Sequence, residues 1–87
     1  MKIQVRHLST TKAAITYEVF ADGYRIGFLK LRANKLWQVT DWIHRYVGAF
    51  RNRNFARKGL TEYYRTFREE CTSAQAKAFE KHAIRCK

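Results

Sequence analysis

The apolar residues of this chain change their spacing once, near Phe50, and that change limits the folds open to it. From Ile3 to about Phe50 they recur at every second position, which is the period of a strand with one buried face. After Phe50 they recur at spacings of three and four, which is the period of an amphipathic helix. The sequence therefore predicts a sheet followed by helices.

Five β-rich runs make up the predicted sheet, which covers residues 2–50. They are Lys2 to Leu8, Ala14 to Phe20, Tyr24 to Leu31, Leu36 to Thr40 and Ile43 to Phe50. Asp22-Gly23, between the second and third runs, predicts a tight hairpin because both central positions of that turn need positive φ. Asn34 indicates the next turn. The chain has no proline, so every run is compatible with an interior place in a sheet.

Two helices are predicted after the sheet, over about residues 53–70 and 73–85. Asn52 or Asn54 would cap the first helix, and Thr72-Ser73-Ala74-Gln75 predicts a capping box for the second. The apolar stripes are Ala56, Leu60, Tyr63, Tyr64, Phe67 and Cys71, then Ala76, Phe79, Ala83 and Cys86. With no repeat and no linker, residues 1–87 are predicted to form a single α+β domain. We expect an antiparallel β-meander of four to five strands followed by two C-terminal α-helices.

The charge of the chain points to its class of partner. Eighteen Lys and Arg residues against seven Asp and Glu residues give a formal net charge of +11, which attracts polyanions. A composition of 46% hydrophobic and 15% aromatic residues is typical of a folded domain rather than a disordered tract. A length of 87 residues excludes a multidomain enzyme.

The sequence also bears on the compartment. Apolar runs such as Ala13-Ala14-Ile15 are far too short to span a membrane, and the first residues lack the pattern of a signal peptide. Two cysteines are too few for the disulfide framework of a secreted mini-protein. We therefore expect a cytoplasmic protein with no membrane partner.

A basic segment lies at the predicted junction between the sheet and the first helix. It carries four positive charges and no acid, on Arg51, Arg53, Arg57 and Lys58. Amides at a helix N-terminus and neighbouring guanidinium groups suit phosphate oxygens, which Arg grips in bidentate fashion. Basic residues there oppose the helix dipole, which makes a purely stabilising role less plausible. The alternative is a solvated basic turn.

A second basic group lies on the predicted sheet, where Arg25, Lys30, Arg32, Lys35 and Arg45 interleave with aromatic residues. Because strands alternate faces, one face can pack on the helices while the other is basic and aromatic. Such a face could enter a major groove or stack unpaired bases on its rings. The alternative is that most of the aromatics are core. These rings belong to Tyr24, Phe28, Trp37, Trp42 and Tyr46.

Two short motifs and one alanine carry a family resemblance. They are Lys35-Leu36-Trp37-Gln38-Val39, Arg45-Tyr46-Val47-Gly48-Ala49-Phe50 and Ala56. Over about residues 24–67 the chain resembles the plant AP2 DNA-binding domain and the arm-binding domains of phage integrases. In those families a three-stranded antiparallel sheet backed by one helix lies in the major groove. The resemblance implies structural roles for Trp37, Gly48, Phe50 and Ala56, and groove-facing positions for Arg25, Arg32, Gln38 and Arg45. The extra N-terminal strand pair and the second helix depart from the family pattern.

Metal binding and catalysis have weaker support. Cys71, His82 and Cys86 offer three zinc-type ligands, but zinc prefers four and no Cys-x-x-Cys pair is present. Buried thiols are the simpler interpretation. The seven acids are scattered along the sequence, and neither serine lies at a spacing from a histidine that suggests a nucleophile. We expect no enzyme, no metal, no cofactor and no small-molecule substrate.

These observations favour a small basic nucleic-acid-binding protein of phage or mobile-element type, with DNA favoured over RNA as its ligand. The predicted contact residues are Arg25, Arg32, Lys35, Gln38, Arg45, Arg51, Arg53, Arg57 and Lys58. One alternative is a phage-encoded inhibitor or adaptor that docks its basic surface on an acidic or nucleic-acid-binding host protein, such as a nuclease or a CRISPR-type complex. Another is a structural ribosome- or nucleoid-associated protein.

Overall fold

A computed structural model describes residues 1–85 of the chain, as five strands followed by two helices. The strands are β1 (Ile3–Thr10), β2 (Ala14–Ala21), β3 (Tyr24–Arg32), β4 (Trp37–Asp41) and β5 (Tyr46–Phe50). The helices are α1 (Arg53–Glu70) and α2 (Ser73–His82). The predicted α+β class is confirmed. The predicted position of Cys86 on the apolar face of the second helix lies outside the described residues.

The strands form one antiparallel meander in the order β1-β2-β3-β4-β5. The predicted hairpin between β2 and β3 is confirmed, since Asp22 and Gly23 adopt φ values of 50° and 89°. The Asp22 carboxylate also accepts a hydrogen bond from the Lys2 amide at 2.8 Å, which ties the start of β1 to this turn. At the next turn, Asn34 accepts a hydrogen bond from the amide of Leu36 at 3.1 Å.

Each helix begins after a residue whose side chain accepts a hydrogen bond from a backbone amide of the first turn. Asn52, rather than Asn54, caps α1, because its side-chain oxygen accepts from the Phe55 amide at 2.9 Å. Thr72 and Gln75 form the predicted capping box of α2.

Two boundaries differ from the prediction by three residues, and the others by at most two. The fifth strand begins at Tyr46 rather than Ile43, because the Asp41 carboxylate binds the amides of the intervening loop. The second helix ends at His82 rather than near residue 85. Beyond it the Ile84 carbonyl accepts from the Arg25 amide at 2.7 Å, and this draws the chain against β3.

The core lies between one face of the sheet and the two helices. Its fully or nearly fully buried members come from both layers: Val19, Ala21, Ile26, Leu29, Val39, Ala56, Leu60, Tyr64 and Phe79. The Trp42 ring joins the two helices to the sheet, with centroids 4.6 Å from Phe67 and 5.1 Å from Phe79. Both helices therefore pack on the same face of the meander.

At Gly27, strand β3 lies close both to β4 and to α1. A Cβ at this position would lie 2.2 Å from the Thr40 carbonyl oxygen and 3.0 Å from both methyl groups of Leu60. The neighbouring strand supplies a backbone atom that cannot rotate away, so only glycine fits.

Gly27→Ala is expected to lower the free energy of unfolding by at least about 3 kcal/mol, at the upper end of what overpacking costs. The matched control is Gly23→Ala, where a Cβ meets open space and only the φ of 89° is strained. That strain costs about 1–2 kcal/mol. Urea unfolding of the two variants measures the difference, and equal losses would contradict the close packing at Gly27.

Candidate nucleic-acid interface

The helices leave the second face of the sheet uncovered, and we call this the open face. Directly paired residues share a face, so the register defines its members. One row across the sheet is Arg6, Glu18, Phe28, Thr40 and Tyr46, and the next is Ser9, Thr16, Lys30, Gln38 and Ala49. Arg25 pairs with Phe20, and Arg32 with Ala14, on the same face.

Two phenylalanines of the open face are buried outside the core. Phe20 is 2% exposed and Phe28 is 6% exposed. The Arg25 guanidinium lies 4.8 Å from the Phe28 ring centroid, and the His44 ring stacks on Phe28 at 4.8 Å with an interplanar angle of 12°. The Arg6 guanidinium lies 6.0 Å from the ring of Phe20. Cationic and polar groups therefore cover apolar rings, an arrangement that cation–π attraction favours.

The charge of the open face is predominantly positive. Its strands carry Arg6, Arg25, Lys30 and Arg32, whereas Glu18 is the one acid among the described strand residues on this face. Glu18 is paired with Arg25 at 3.1 Å, with side chains 15% and 22% exposed. Four of the seven acids instead lie on α1 and α2, on the opposite side of the sheet: Glu62, Glu69, Glu70 and Glu80.

A buried carboxylate shapes the loop between β4 and β5. Asp41 is fully buried, and its Oδ1 accepts hydrogen bonds from the amides of Ile43 and Arg45 at 3.0 and 2.9 Å. Its Oδ2 accepts from the Tyr63 hydroxyl at 2.7 Å and from Arg45 Nε at 3.3 Å. Burial, together with the hydrogen bond to the Asp41 carboxylate, raises the pKa of the Tyr63 hydroxyl above its ordinary value. One side chain thus links the loop to α1.

The same loop places three exposed residues, His44, Arg45 and Tyr46, at one corner of the sheet. Trp42 enters the core, and His44 then adopts a φ of 65°, which is uncommon for a residue with a side chain. The His44 ring lies on Phe28, while the Arg45 side chain is 65% exposed and Tyr46 is 64% exposed. The corner places a cation and an aromatic ring at one end of the open face.

The predicted sheet residues divide between this face and its two ends. Arg25, Arg32 and Gln38 lie on the open face, and Arg32 Nη1 donates to Gln38 Oε1 at 3.0 Å. Lys35 lies in the turn between β3 and β4. Arg45 lies in the loop at the other end of β4.

The predicted junction residues lie on the helix side of the sheet. Arg53 begins α1, and its guanidinium lies 4.9 Å from the ring of Tyr17, which faces the core. Arg57 and Lys58 follow on α1, and Arg51 is exposed just after β5. The two predicted basic groups therefore do not converge on one surface. They approach each other only at the end of the sheet where Trp37 pairs with Phe50.

Sequence reasoning did not find Arg6 or His44 on this face, and it named Tyr46 as one of the aromatic rings of the sheet without counting it among the predicted contact residues. The alternation of Val5 with Arg6 was a signal for Arg6, but the face it occupies depends on the β1–β2 register. His44 and Tyr46 reach the open face because of the loop between β4 and β5. The Asp41 hydrogen bonds that shape this loop leave no sign in the periodicity of the sequence.

The four residues to which the family resemblance gives structural roles lie on the helix side, whereas Gln38 of the same motifs lies on the open face. Trp37 pairs with Phe50, Gly48 pairs with Val39 of the core, and Ala56 is fully buried on α1. No protein-family model, curated protein or solved structure matches the chain. The resemblance to the AP2 and integrase arm-binding domains accordingly stays a prediction.

Within residues 1–85, neither helix has the length and hydropathy needed to cross a bilayer. In the same part of the chain, no three His, Cys, Asp or Glu residues are grouped so as to hold a metal ion. Cys86, one of the three zinc-type ligands considered, lies outside that part.

Asp41→Asn is expected to lower the free energy of unfolding by about 2–3 kcal/mol, because an amide nitrogen would then face donors that now meet a carboxylate oxygen. Asp22→Asn is the matched control. Asp22 is exposed, and an asparagine oxygen can still accept from the Lys2 amide. Urea unfolding distinguishes the two variants, and a loss of under half a kcal/mol for Asp41→Asn, or about the same loss for both, would contradict the role given to Asp41.

Proposed function

We propose that the protein binds nucleic acid, with DNA the first candidate, through the open face of its sheet. The observation that carries the proposal is the excess of cations on a solvent-facing sheet surface, where Arg6, Arg25, Lys30 and Arg32 are opposed by Glu18 alone among the described strand residues. Phosphate contacts from Lys and Arg supply most of the affinity of such proteins.

The side chains between these cations support the same proposal. Thr16, Thr40 and Ala49 are small, so a nucleic-acid backbone can approach the strands closely. Gln38 adds an amide that both donates and accepts hydrogen bonds, beside the fork of Arg32. The arrangement combines charge for phosphates with groups able to meet base edges.

The ends of the sheet extend the proposed surface. Lys35 and Arg51 lie at the end where β4 begins and β5 finishes, and Arg45 lies at the other end. In this proposal they contact phosphates at the rim. Arg53, Arg57 and Lys58 occupy the helix side and have a secondary part. The expected compartment remains the cytoplasm, and the expected source a phage or mobile element.

A second candidate function has one specific observation in its favour. Ile43 and Ile84 are 56% and 51% exposed and border a cavity of about 120 Å³ whose floor includes Trp42 and Phe79. Arg25 and His82 line the same cavity. An apolar centre with a polar rim is typical of a protein interface. The patch fits an adaptor or inhibitor that docks on an acidic host protein.

Lys30→Gln combined with Arg32→Gln tests the first proposal. At about 0.1 M salt we expect the affinity for DNA to fall at least tenfold, and the slope of log K against log salt to decrease by roughly 1.4–1.8, since two phosphate contacts are lost. Fluorescence anisotropy over a range of salt concentrations measures both quantities.

The matched control is Lys77→Gln combined with Lys81→Gln, which removes the same charge from exposed positions of α2. The control is expected to keep most of the affinity and the salt slope. Equal losses of affinity in the two double variants would mean that binding depends on net charge alone. That result would contradict the open face as the binding surface. If the unmodified protein binds no DNA but forms a stoichiometric complex with a protein, the adaptor function replaces the proposal.

A further inference from the structure

We propose that the open face binds an unpaired nucleic-acid strand in preference to a duplex, with the Tyr46 ring as a base-stacking platform. This inference rests on the proposed nucleic-acid function and specifies its ligand. It is carried by the width of the sheet, the exposure of Tyr46 and the position of the cations relative to that ring.

The sheet is too wide to lie flat in a duplex groove. Its five hydrogen-bonded strands span about 19 Å between the axes of β1 and β5, since neighbouring strands lie roughly 4.8 Å apart. The major groove of B-DNA is about 12 Å wide. The strands β3, β4 and β5 alone would fit, but β2 continues the same surface beyond β3 and β1 continues it beyond β2. A single strand, in contrast, can lie across the whole surface.

The ring best placed for stacking is that of Tyr46. It is 64% exposed, although its register places it in the row that contains the buried Phe28. The exposed His44 imidazole, stacked on Phe28, lies on the same face. Aromatic side chains that stack bases, beside cations that follow the backbone, are the usual means of binding unpaired strands.

Two cations of the open face lie two strands away from the Tyr46 ring. Lys30 and Arg32 are on β3, two strands and roughly 10 Å away from β5. Gln38 lies on β4, between them and β5. An unpaired nucleic-acid strand that crosses the sheet from β5 towards β3 would stack a base on Tyr46 and next meet the Gln38 amide. Its phosphates would then reach Lys30 and Arg32.

The test compares two probes at one salt concentration by fluorescence anisotropy. One is a labelled single-stranded oligothymidylate of roughly 20 nucleotides, longer than the common site sizes of single-strand binders, and the other is a duplex of the same length. We expect the single strand to bind at least tenfold more tightly. Equal or tighter binding of the duplex would overturn the inference while leaving the proposed function intact. Binding of neither probe would contradict the proposed function itself.

Two variants test the role of the ring. Tyr46→Ala is expected to weaken single-strand binding roughly tenfold and to leave duplex binding within about twofold, because base stacking on an aromatic ring is lost. Tyr46→Phe keeps the ring and is expected to bind within about twofold of the unmodified protein. Equal weakening of both probes by Tyr46→Ala, with unchanged thermal melting, would overturn the stacking role, as would a full loss in Tyr46→Phe.

Discussion

Both helices pack on the same face of the five-stranded meander that precedes them in the chain. The rest of the structure depends on that constraint. The core residues Val19, Leu29 and Val39 face α1 and α2, so the other face must be compatible with water. Phe20 and Phe28 lie on that face and would expose two large rings. Arg6, Arg25 and His44 cover them. The same groups that make the open face compatible with water also make it basic.

The Asp41 carboxylate fixes one end of that face. It satisfies two loop amides and the Tyr63 hydroxyl at once, so the loop after β4 is bound both to itself and to α1. A buried carboxylate is costly unless it is hydrogen-bonded in this way. The result is that Arg45 and Tyr46 are held at a defined corner of the sheet. A preorganised corner limits the conformational entropy lost when a ligand binds.

Periodicity and turn chemistry predicted the elements but not the faces. The change of period near Phe50, Asp22-Gly23 and the capping box at Thr72 each report on a few neighbouring residues, and each was confirmed. Face assignment depends on bulges. Counted by strict alternation from Gly27, Arg25 would face the core, but Ile26 is an extra residue in the pairing of β2 with β3. That bulge places Arg25 on the open face with Arg32.

The loop after β4 escaped prediction for a related reason. Ile43 continues an alternating apolar pattern, which predicts strand, yet the Asp41 side chain competes for the amides that a strand would pair. The predicted junction group, Arg51, Arg53, Arg57 and Lys58, was recognised from its local charge alone, which does not report which side of the sheet it occupies. It lies on the helix side because Asn52 caps α1 there and Phe50 points towards α1, where its ring fills the space that a Cβ on Gly59 would occupy.

Lysine footprinting tests most directly whether the open face is the binding surface. Lys30 lies on that face and Lys35 lies at its rim, while Lys77 and Lys81 lie on α2, on the other side of the core. Acetylation with and without a bound oligonucleotide, read by mass spectrometry, reports the protection of each amine. The account predicts that DNA protects Lys30 and Lys35 and leaves Lys77 and Lys81 reactive. Protection of Lys77 and Lys81, with Lys30 unchanged, would contradict it.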